Sequence, residues 1–297
     1  MKFTVALEKH LIRNELKHHS PRTLKNERFN LTAFIKWLEE NYNLHDSQLM
    51  RRFHLLRFQE FICLHQNYSP AYINQKVMVV NSFMKFLKRE GELLGELCEV
   101  LECVKQPQRL PKVISLEDYD RLVGTIDLKD CWGRRDMVIV TLFLSSGIRV
   151  EEMHRLNVND IDLKEKTARV LGKGNKERLA VFGENCAELI RVYLNAIRPL
   201  LPNKERTEAL FLSRKAKRLS IRAYQDMIKR YAKKADIKEL SCHTLRRTFC
   251  TELIKAGGNL YHISKMMGHA SLEHLSKYTF LDVQSLKDTH AKFHPRG

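Results

Sequence analysis

The sequence has no stretch long and apolar enough to span a bilayer. Its longest near-apolar run, Met137 to Leu144, holds eight residues, against the ~20 that a spanning helix needs. The amino-terminal stretch MKFTVALEKHLIRNELK carries charge throughout, so the apolar heart of a secretory signal is missing as well. The seven cysteines are scattered and contain no CxxC pair, which argues against a structural zinc site and against a disulfide framework. There is also no P-loop and no metal-ligand cluster. These absences exclude a membrane channel, a small secreted scaffold and a P-loop NTPase. They place the chain in a reducing cytoplasm.

What is present in excess is positive charge. The 297 residues hold 52 Lys and Arg against 35 Asp and Glu, a net charge of +17 with a pI of about 9.6. Such a field selects polyanions, most simply nucleic acid, with an acidic membrane surface as the competing partner. The length allows one large domain or two ordinary ones, and an apolar fraction of 43% supplies real cores. Two prolines four apart in Gln106-Pro107-Gln108-Arg109-Leu110-Pro111 favour extended backbone and mark a linker. Residues 1–111 hold 17 Lys and Arg against 12 Asp and Glu, and residues 112–297 hold 35 against 23. Both parts are basic, so both are expected on one polyanion, closing around it as a clamp.

The spacing predicts a mainly α protein of α+β type. It has a helical bundle over 1–105, a linker over 106–111, and a mostly helical domain with a small antiparallel β-sheet over 112–297. In the first part a helix over Phe3 to Leu16 is expected. Ser20-Pro21 and Ser69-Pro70 are helix starts with proline at the first helical position. The stripes that follow are Leu24, Leu31, Phe34, Ile35 and Leu38, then Ile73, Val77, Val80, Met84 and Leu87. A helix starting near Leu49 would carry Phe53, Leu56 and Phe61. In the second part Ser115 caps a helix to Ile126, and another starts near Arg134 and pauses at Ser145-Ser146-Gly147. Arg149 then opens a further helix. A cation there opposes the helix dipole unless an anion or a carboxylate, Glu151 or Glu152, accompanies it. Residues 167–171 and 178–182 flank GKGNKE as a hairpin with Lys173 at or near its turn. A helix over Glu184 to Ile197 comes next. The basic tract Arg214, Lys215, Lys217, Arg218, with Lys229 and Arg230 on a helix capped by Ser220, suits phosphate contacts, with Tyr224 and Tyr231 between the charges.

The chemistry concentrates in SCHTLRRTFCTELIKAGGNLYHISKMMGHASLEHLSKY, residues 241–278. Ser241, Asn259 and Ser271 are caps for three successive helices, with stops at Gly257-Gly258 and Gly268. His243 and Arg246, three apart, share a helix face. His269 follows the Gly268 stop, and Tyr278 lies nine residues on. A guanidinium fits two phosphate oxygens. An imidazole moves protons near neutral pH, and a phenol beside cations and a base can attack. Each short motif alone is more often a surface or capping feature, so their co-occurrence is what counts.

Together the segments SSGIRVEE, GKGNKER, HTLRRTF, MGHASL and the KYT around Tyr278 resemble the ordered boxes of the tyrosine site-specific recombinases, the phage-integrase type, and most closely the Xer group. The resemblance covers nearly the whole chain. It implies a SAM-like core-binding domain over 1–105 and a catalytic domain over 112–297. It also implies that Arg149 and Arg246 grip a scissile phosphate, that His269 bonds a non-bridging oxygen, and that Lys173 protonates the leaving 5′-oxygen. His243 is then an acid/base partner, Tyr278 the nucleophile that forms a 3′-phosphotyrosyl link, and Glu152 a support for the Arg149 loop. Met267 and Ile148 stand where Leu is more usual, a conservative change in packing. No metal or other cofactor is implied, because the covalent link keeps the phosphodiester energy. The implied partners are double-stranded DNA and further copies of the chain, as a homo-tetramer or a hetero-tetramer with a related recombinase on two DNA sites, with residues 282–297 docking on the neighbouring copy. The implied tasks are DNA integration, excision or dimer resolution. A DNA-relaxing enzyme of the type IB topoisomerase kind and a non-catalytic DNA binder of the same fold are the competing readings.

Overall fold

The computed structural model describes residues 1–64, 67–93, 95–107, 112–172, 177–202 and 207–268. The chain divides into two compact units, Met1–Gln108 and Arg109–Gly297.

The first unit is built from α1 (Phe3–Leu16), α2 (Pro21–Tyr42), α3 (Arg52–Leu64) and α4 (Pro70–Arg89). Ser20 and Ser69 cap α2 and α4 by accepting from the N–H groups of Thr23 and Tyr72, with proline in the first turn of each helix. Leu31, Phe34, Ile35 and Leu38 meet Ile73, Val77, Val80, Met84 and Leu87 in one core. Helix α3 corrects two expectations. It starts at Arg52, after a 3-10 turn over Ser47–Leu49. It buries His54, Leu55, Phe58 and Ile62 and leaves Phe53 and Leu56 about half exposed. Its sequence is apolar nearly all round, so periodicity alone selects no face. The edge contacts of Phe58 with the rings of Phe34 and Trp37, at 4.7 and 5.3 Å, belong to the face that is buried.

His10 is buried on α1 against the edges of Phe83 and Phe86. Asn14 must donate to the Glu27 carboxylate, at 2.8 Å, so the same amide nitrogen also donates to His10 Nε2 at 3.1 Å. The neutral ring therefore carries its proton on Nδ1. Burial lowers the pKa of His10 below its ordinary value; Glu27 opposes the shift, and His19, Arg13 and Lys17 add to it. The unfolded chain then binds this proton more readily than the folded chain does. The stability His10 contributes is whole above about pH 6.5 and is lost as the pH falls below that value. The melting temperature is expected to decline below about pH 6.5, with a shallower decline in His10→Gln. An equal slope in the two proteins would show that other groups set the acid limb.

The second unit contains α5 (Leu116–Gly124), α6 (Cys131–Ser146), α7 (Val150–Arg155), β1 (Ile161–Asp162), β2 (Thr167–Leu171), β3 (Glu177–Val181), α8 (Glu184–Val192), α9 (Ile221–Lys234), α10 (Cys242–Lys255) and α11 (Leu260–Met267). The strands form one antiparallel sheet in the order β1-β2-β3, with Thr167 opposite Val181 and Leu171 opposite Glu177. Ala168, Val170 and Ala180 face inward, and Arg169, Leu179 and Val181 face outward, the period of two expected of a half-buried sheet. The two-residue β1 is too short to show in the pattern. Helix α6 begins at Cys131, three residues before Arg134, and Gly133 in its first turn packs on the Asp127 carbonyl where no Cβ would fit. Its residues Val138, Ile139, Val140, Leu142 and Phe143 are all buried in the core of this unit.

The helix expected through Ile197 changes character after Val192. A π turn over Tyr193–Ile197 passes into a 3-10 turn over Arg198–Leu200. Pro199 lacks an N–H and would clash with the carbonyl four residues back in a regular helix, and the widened turn relieves both. The Tyr193 hydroxyl donates to the Leu210 carbonyl at 3.0 Å, and the Arg198 guanidinium donates to the carbonyls of Thr207 and Ala209. Among the described residues no helix is long and apolar enough to cross a membrane.

Candidate active site

The site starts where α6 ends. Gly147 takes the left-handed conformation, φ +57, and a Cβ there would lie 2.3 Å from the Phe249 ring of α10. Only glycine turns the chain this closely against α10. The turn delivers Arg149 to the N-cap of α7 with extended backbone. The cation at this helix start has the carboxylate that the dipole argument called for. Glu152, only 2% exposed, accepts from the Arg149 N–H at 2.8 Å and from Arg149 Nη1 at 2.9 Å. A second arginine shares it: Arg178 of β3 donates through Nη2 at 2.7 Å and through Nε at 3.4 Å. Burial alone would raise the Glu152 pKa. The hydrogen bonds and charge of Arg178, with the bonds from Arg149, outweigh burial and hold the carboxyl below the usual carboxylate value.

Helix α10 brings the third arginine. Ser241 caps the helix by accepting from the Thr244 N–H at 3.1 Å. Arg246, 2% exposed, donates through Nη1 to the Gly147 carbonyl and through Nη2 to the Met267 carbonyl. At the same end of α11, Arg178 Nη1 donates to the Met266 carbonyl at 2.6 Å and Arg149 Nη2 to the Gly268 carbonyl at 3.2 Å. Three consecutive carbonyls, 266 to 268, thus each receive a different arginine. A helix C-terminus leaves such carbonyls without intrahelical partners and is negatively polarised, so cations suit it on both counts. Gly268 caps the helix with φ +59, and a Cβ there would meet the Arg178 side chain at 2.8 Å.

Three guanidinium groups meet at this helix end, and two of them share one buried carboxylate, which leaves an excess of positive charge. The Arg149 side chain is still 30% exposed, so an anion can reach it. His243 lies one turn before Arg246 on α10, at the surface. Partial burial of its ring, followed by the charges of Arg247, Arg246 and Arg149, lowers its pKa below the ordinary value. The shift favours the neutral ring, which can accept a proton. The phenols of Tyr193, Tyr224 and Tyr231 in this unit are pushed up by burial, that of Tyr231 to about 12, so none of the three is primed to attack. Lys173, His269, Tyr278 and the segment 282–297 lie outside the described residues. Among the described residues no group of three or more His, Cys, Asp or Glu is placed to hold a metal ion.

The basic tract is divided between a groove and the open surface. Arg214, Lys215, Lys217, Arg218 and Arg230 line one groove of about 820 Å³, together with Trp132 and several aspartates, whereas Lys229 is exposed on α9 away from its lining. Arg149, Arg178 and Arg246 do not line this groove. Arg214 stacks over Trp132 at 5.2 Å, and Arg230 pairs with the buried Asp136 at 3.2 Å. Arg218 serves the fold. It donates to the carbonyls of His154 and Leu156, each at 2.9 Å, and to Asn157 Oδ1 at 2.5 Å. Tyr224 and Tyr231 are corrected as well, because both are core residues and Tyr231 donates to Asp136 at 2.8 Å. Their spacing with Met227 and Ile228 was the signal for a buried helix face.

Sequence reasoning assigned no role to Arg178. The available signal was its register: it stands opposite the buried Val170 and two residues before the buried Ala180, the inward position of the strand.

Residues 112–285 match the family model described as the phage integrase family. The tyrosine recombinase XerD of Staphylococcus epidermidis is 31% identical over 281 residues, covering 94% of this chain and 94% of its own length. The tyrosine recombinase XerD of Pasteurella multocida is 30% identical over 304 residues, covering all of both chains. In structure the chain is similar to the Tn1549 transposon integrase in complex with transposon right end DNA, with a TM-score of 0.75 at 16% identity over 98% of this chain and 99% of that one.

Proposed function

This chain belongs to the phage integrase family of tyrosine recombinases, and from that premise we propose that Tyr278 is its nucleophile. The protein is an enzyme of site-specific DNA recombination, which cuts and rejoins strands through a tyrosine-linked intermediate. In the proposed residue assignment Arg149 and Arg246 grip the non-bridging oxygens of the scissile phosphate, and His269 adds a hydrogen bond to one of them. The Tyr278 oxygen attacks phosphorus as its proton passes to His243. The bond from phosphorus to the 5′-oxygen breaks, and Lys173 gives that oxygen a proton. The products are a 3′-phosphotyrosyl link and a free 5′-hydroxyl. A 5′-hydroxyl on another strand then attacks the phosphotyrosine by the reverse steps.

The observation that carries this reading is the seating of Arg149 and Arg246 at one helix end, brought from distant segments and fixed before any ligand arrives. Donors held in advance where negative charge develops are the main source of rate in phosphoryl chemistry. The neutral His243 on the same helix supports its part as acceptor.

The test is covalent trapping. The protein is incubated with nicked duplexes from a random-sequence library, then denatured, and a protein–DNA adduct is sought. The expected result is an adduct that Tyr278→Phe abolishes and whose DNA gives the recognition site. An adduct that persists in Tyr278→Phe would move the nucleophile elsewhere. The oligomer proposed is a tetramer on two duplexes, with residues 282–297 of each copy docked on its neighbour. The mass of the undenatured complex on the recovered site checks this, and a complex with a single copy per duplex that never pairs would reject it.

A further inference from the structure

Arg178 has no part in the chemistry just described, yet its side chain is more enclosed than that of Arg149, at 11% against 30% exposure. Its fork is divided between two acceptors. One side faces the Glu152 carboxylate through Nη2 and Nε; the other faces the Met266 carbonyl through Nη1 at 2.6 Å. Glu152 in turn stands between Arg178 and Arg149, taking bonds from both. A buried carboxylate must be matched by positive charge. With Arg178 in place, that demand is shared, and Arg149 keeps charge and donors for an incoming anion. Without Arg178 the carboxylate would draw Arg149 fully to itself, and the last turn of α11 would lose one of its three ties.

We infer that Arg178 is a positioning residue for strand cleavage: by holding Glu152 and the Met266 carbonyl together, it keeps Arg149 available to the scissile phosphate and seats the end of α11. The inference rests on the residue assignment of the preceding section. Lysine cannot replace this arginine, because a single ammonium on a flexible stem does not present a planar fork to two acceptors at once.

The experiment uses the full chain as wild type, Arg178→Lys and Arg178→Gln, on the DNA site recovered by trapping, built as a nicked duplex. Single-turnover adduct formation, duplex affinity and melting temperature are measured for each. A second duplex carries a methylphosphonate at the scissile position, where a methyl group replaces one charged oxygen and so weakens the demand on Arg149. Both variants are expected to bind the duplex with unchanged affinity and to form adduct about 10- to 100-fold more slowly, the range typical when a group that orients a ligating side chain is removed. The deficit is expected to shrink on the methylphosphonate. Should Arg178→Gln fail to melt cooperatively, Arg178→Lys carries the same comparison. A normal adduct rate in the variants overturns the inference and leaves the Tyr278 assignment standing. So does a deficit that is equal on both duplexes and tracks the melting temperature, since that is a structural loss alone. No adduct from the wild-type protein on any duplex overturns the Tyr278 assignment and the inference with it.

Discussion

Replacing Arg246 with lysine is expected to slow covalent adduct formation by about 100- to 1000-fold, the effect of removing one fixed donor from a developing oxyanion. The charge is kept, so the loss would arise from geometry. In the wild-type protein the two terminal nitrogens of Arg246 are anchored on the carbonyls of Gly147 and Met267, one on each side of the site. The anchors fix the plane of the guanidinium, and with it the direction of the donors that the proposed assignment aims at the phosphate. A lysine ammonium satisfies one carbonyl at a time and is free to rotate. A carbonyl left without a donor in a buried position costs about 1–3 kcal/mol, so a lower melting temperature accompanies the kinetic loss. Quenched-flow or gel-resolved adduct formation, set beside duplex affinity, separates the two effects. A lysine variant that cleaves within a few-fold of the wild type would mean that Arg246 acts as a plain point charge.

The second large effect is expected on stability. Glu152→Ala removes the carboxylate that two arginines share and leaves both of them without it. Breaking a buried ion pair from one side typically costs about 3–5 kcal/mol. At about 2–4 °C per kcal/mol for a unit of this size, the melting temperature should fall by roughly 6–20 °C. The carboxyl is 2% exposed and its pKa is held down in the folded state, so little solvent screening is available to soften the loss. Thermal denaturation of Glu152→Ala and Glu152→Gln beside the wild type measures it. The glutamine variant keeps the shape and one acceptor oxygen and is expected to lie between the other two. A shift of only 1–2 °C in Glu152→Ala would show that the arginines find other anions or water, and that Glu152 is not the hub of the cluster.

Those two side chains also show which parts of the molecule the sequence makes readable. Helix starts are legible because capping is local: Ser20, Ser69, Ser115, Ser220, Ser241 and Asn259 each bond to an N–H two or three residues on. The stops at Gly147 and Gly268 are legible for the same reason, as both hold φ near +60. The face of α3 was not, since its apolar residues run all round the helix and only neighbouring rings decide among them. Likewise the π turn after Val192 depends on Pro199 and on carbonyls well downstream. In the site, the Arg149–Glu152 pair lies within one helical turn, so the sequence narrows the partner to an anion or to Glu151 or Glu152, and the family resemblance gives Glu152 a supporting part. The reach of Arg178 to Met266 spans 88 residues and leaves no local mark beyond the inward register of β3. Tyr224 and Tyr231 were misread because the surrounding charge was weighed above their spacing with Met227 and Ile228.

The end of α11 has a further meaning. Its three carbonyls are held from the α6–α7 corner, from β3 and from α10, segments that come together only when the second unit has folded completely. A chain with this much positive charge will adhere to any duplex it meets, correctly folded or not. Attraction is spread over the whole surface and survives local damage. The arginine cluster behaves as a three-key lock, since a partly opened chain has no seat for its three guanidinium groups. On the proposed residue assignment, a misassembled copy keeps its charge but loses the seat of Arg149 and Arg246, so duplex binding and strand cleavage are expected to fail separately.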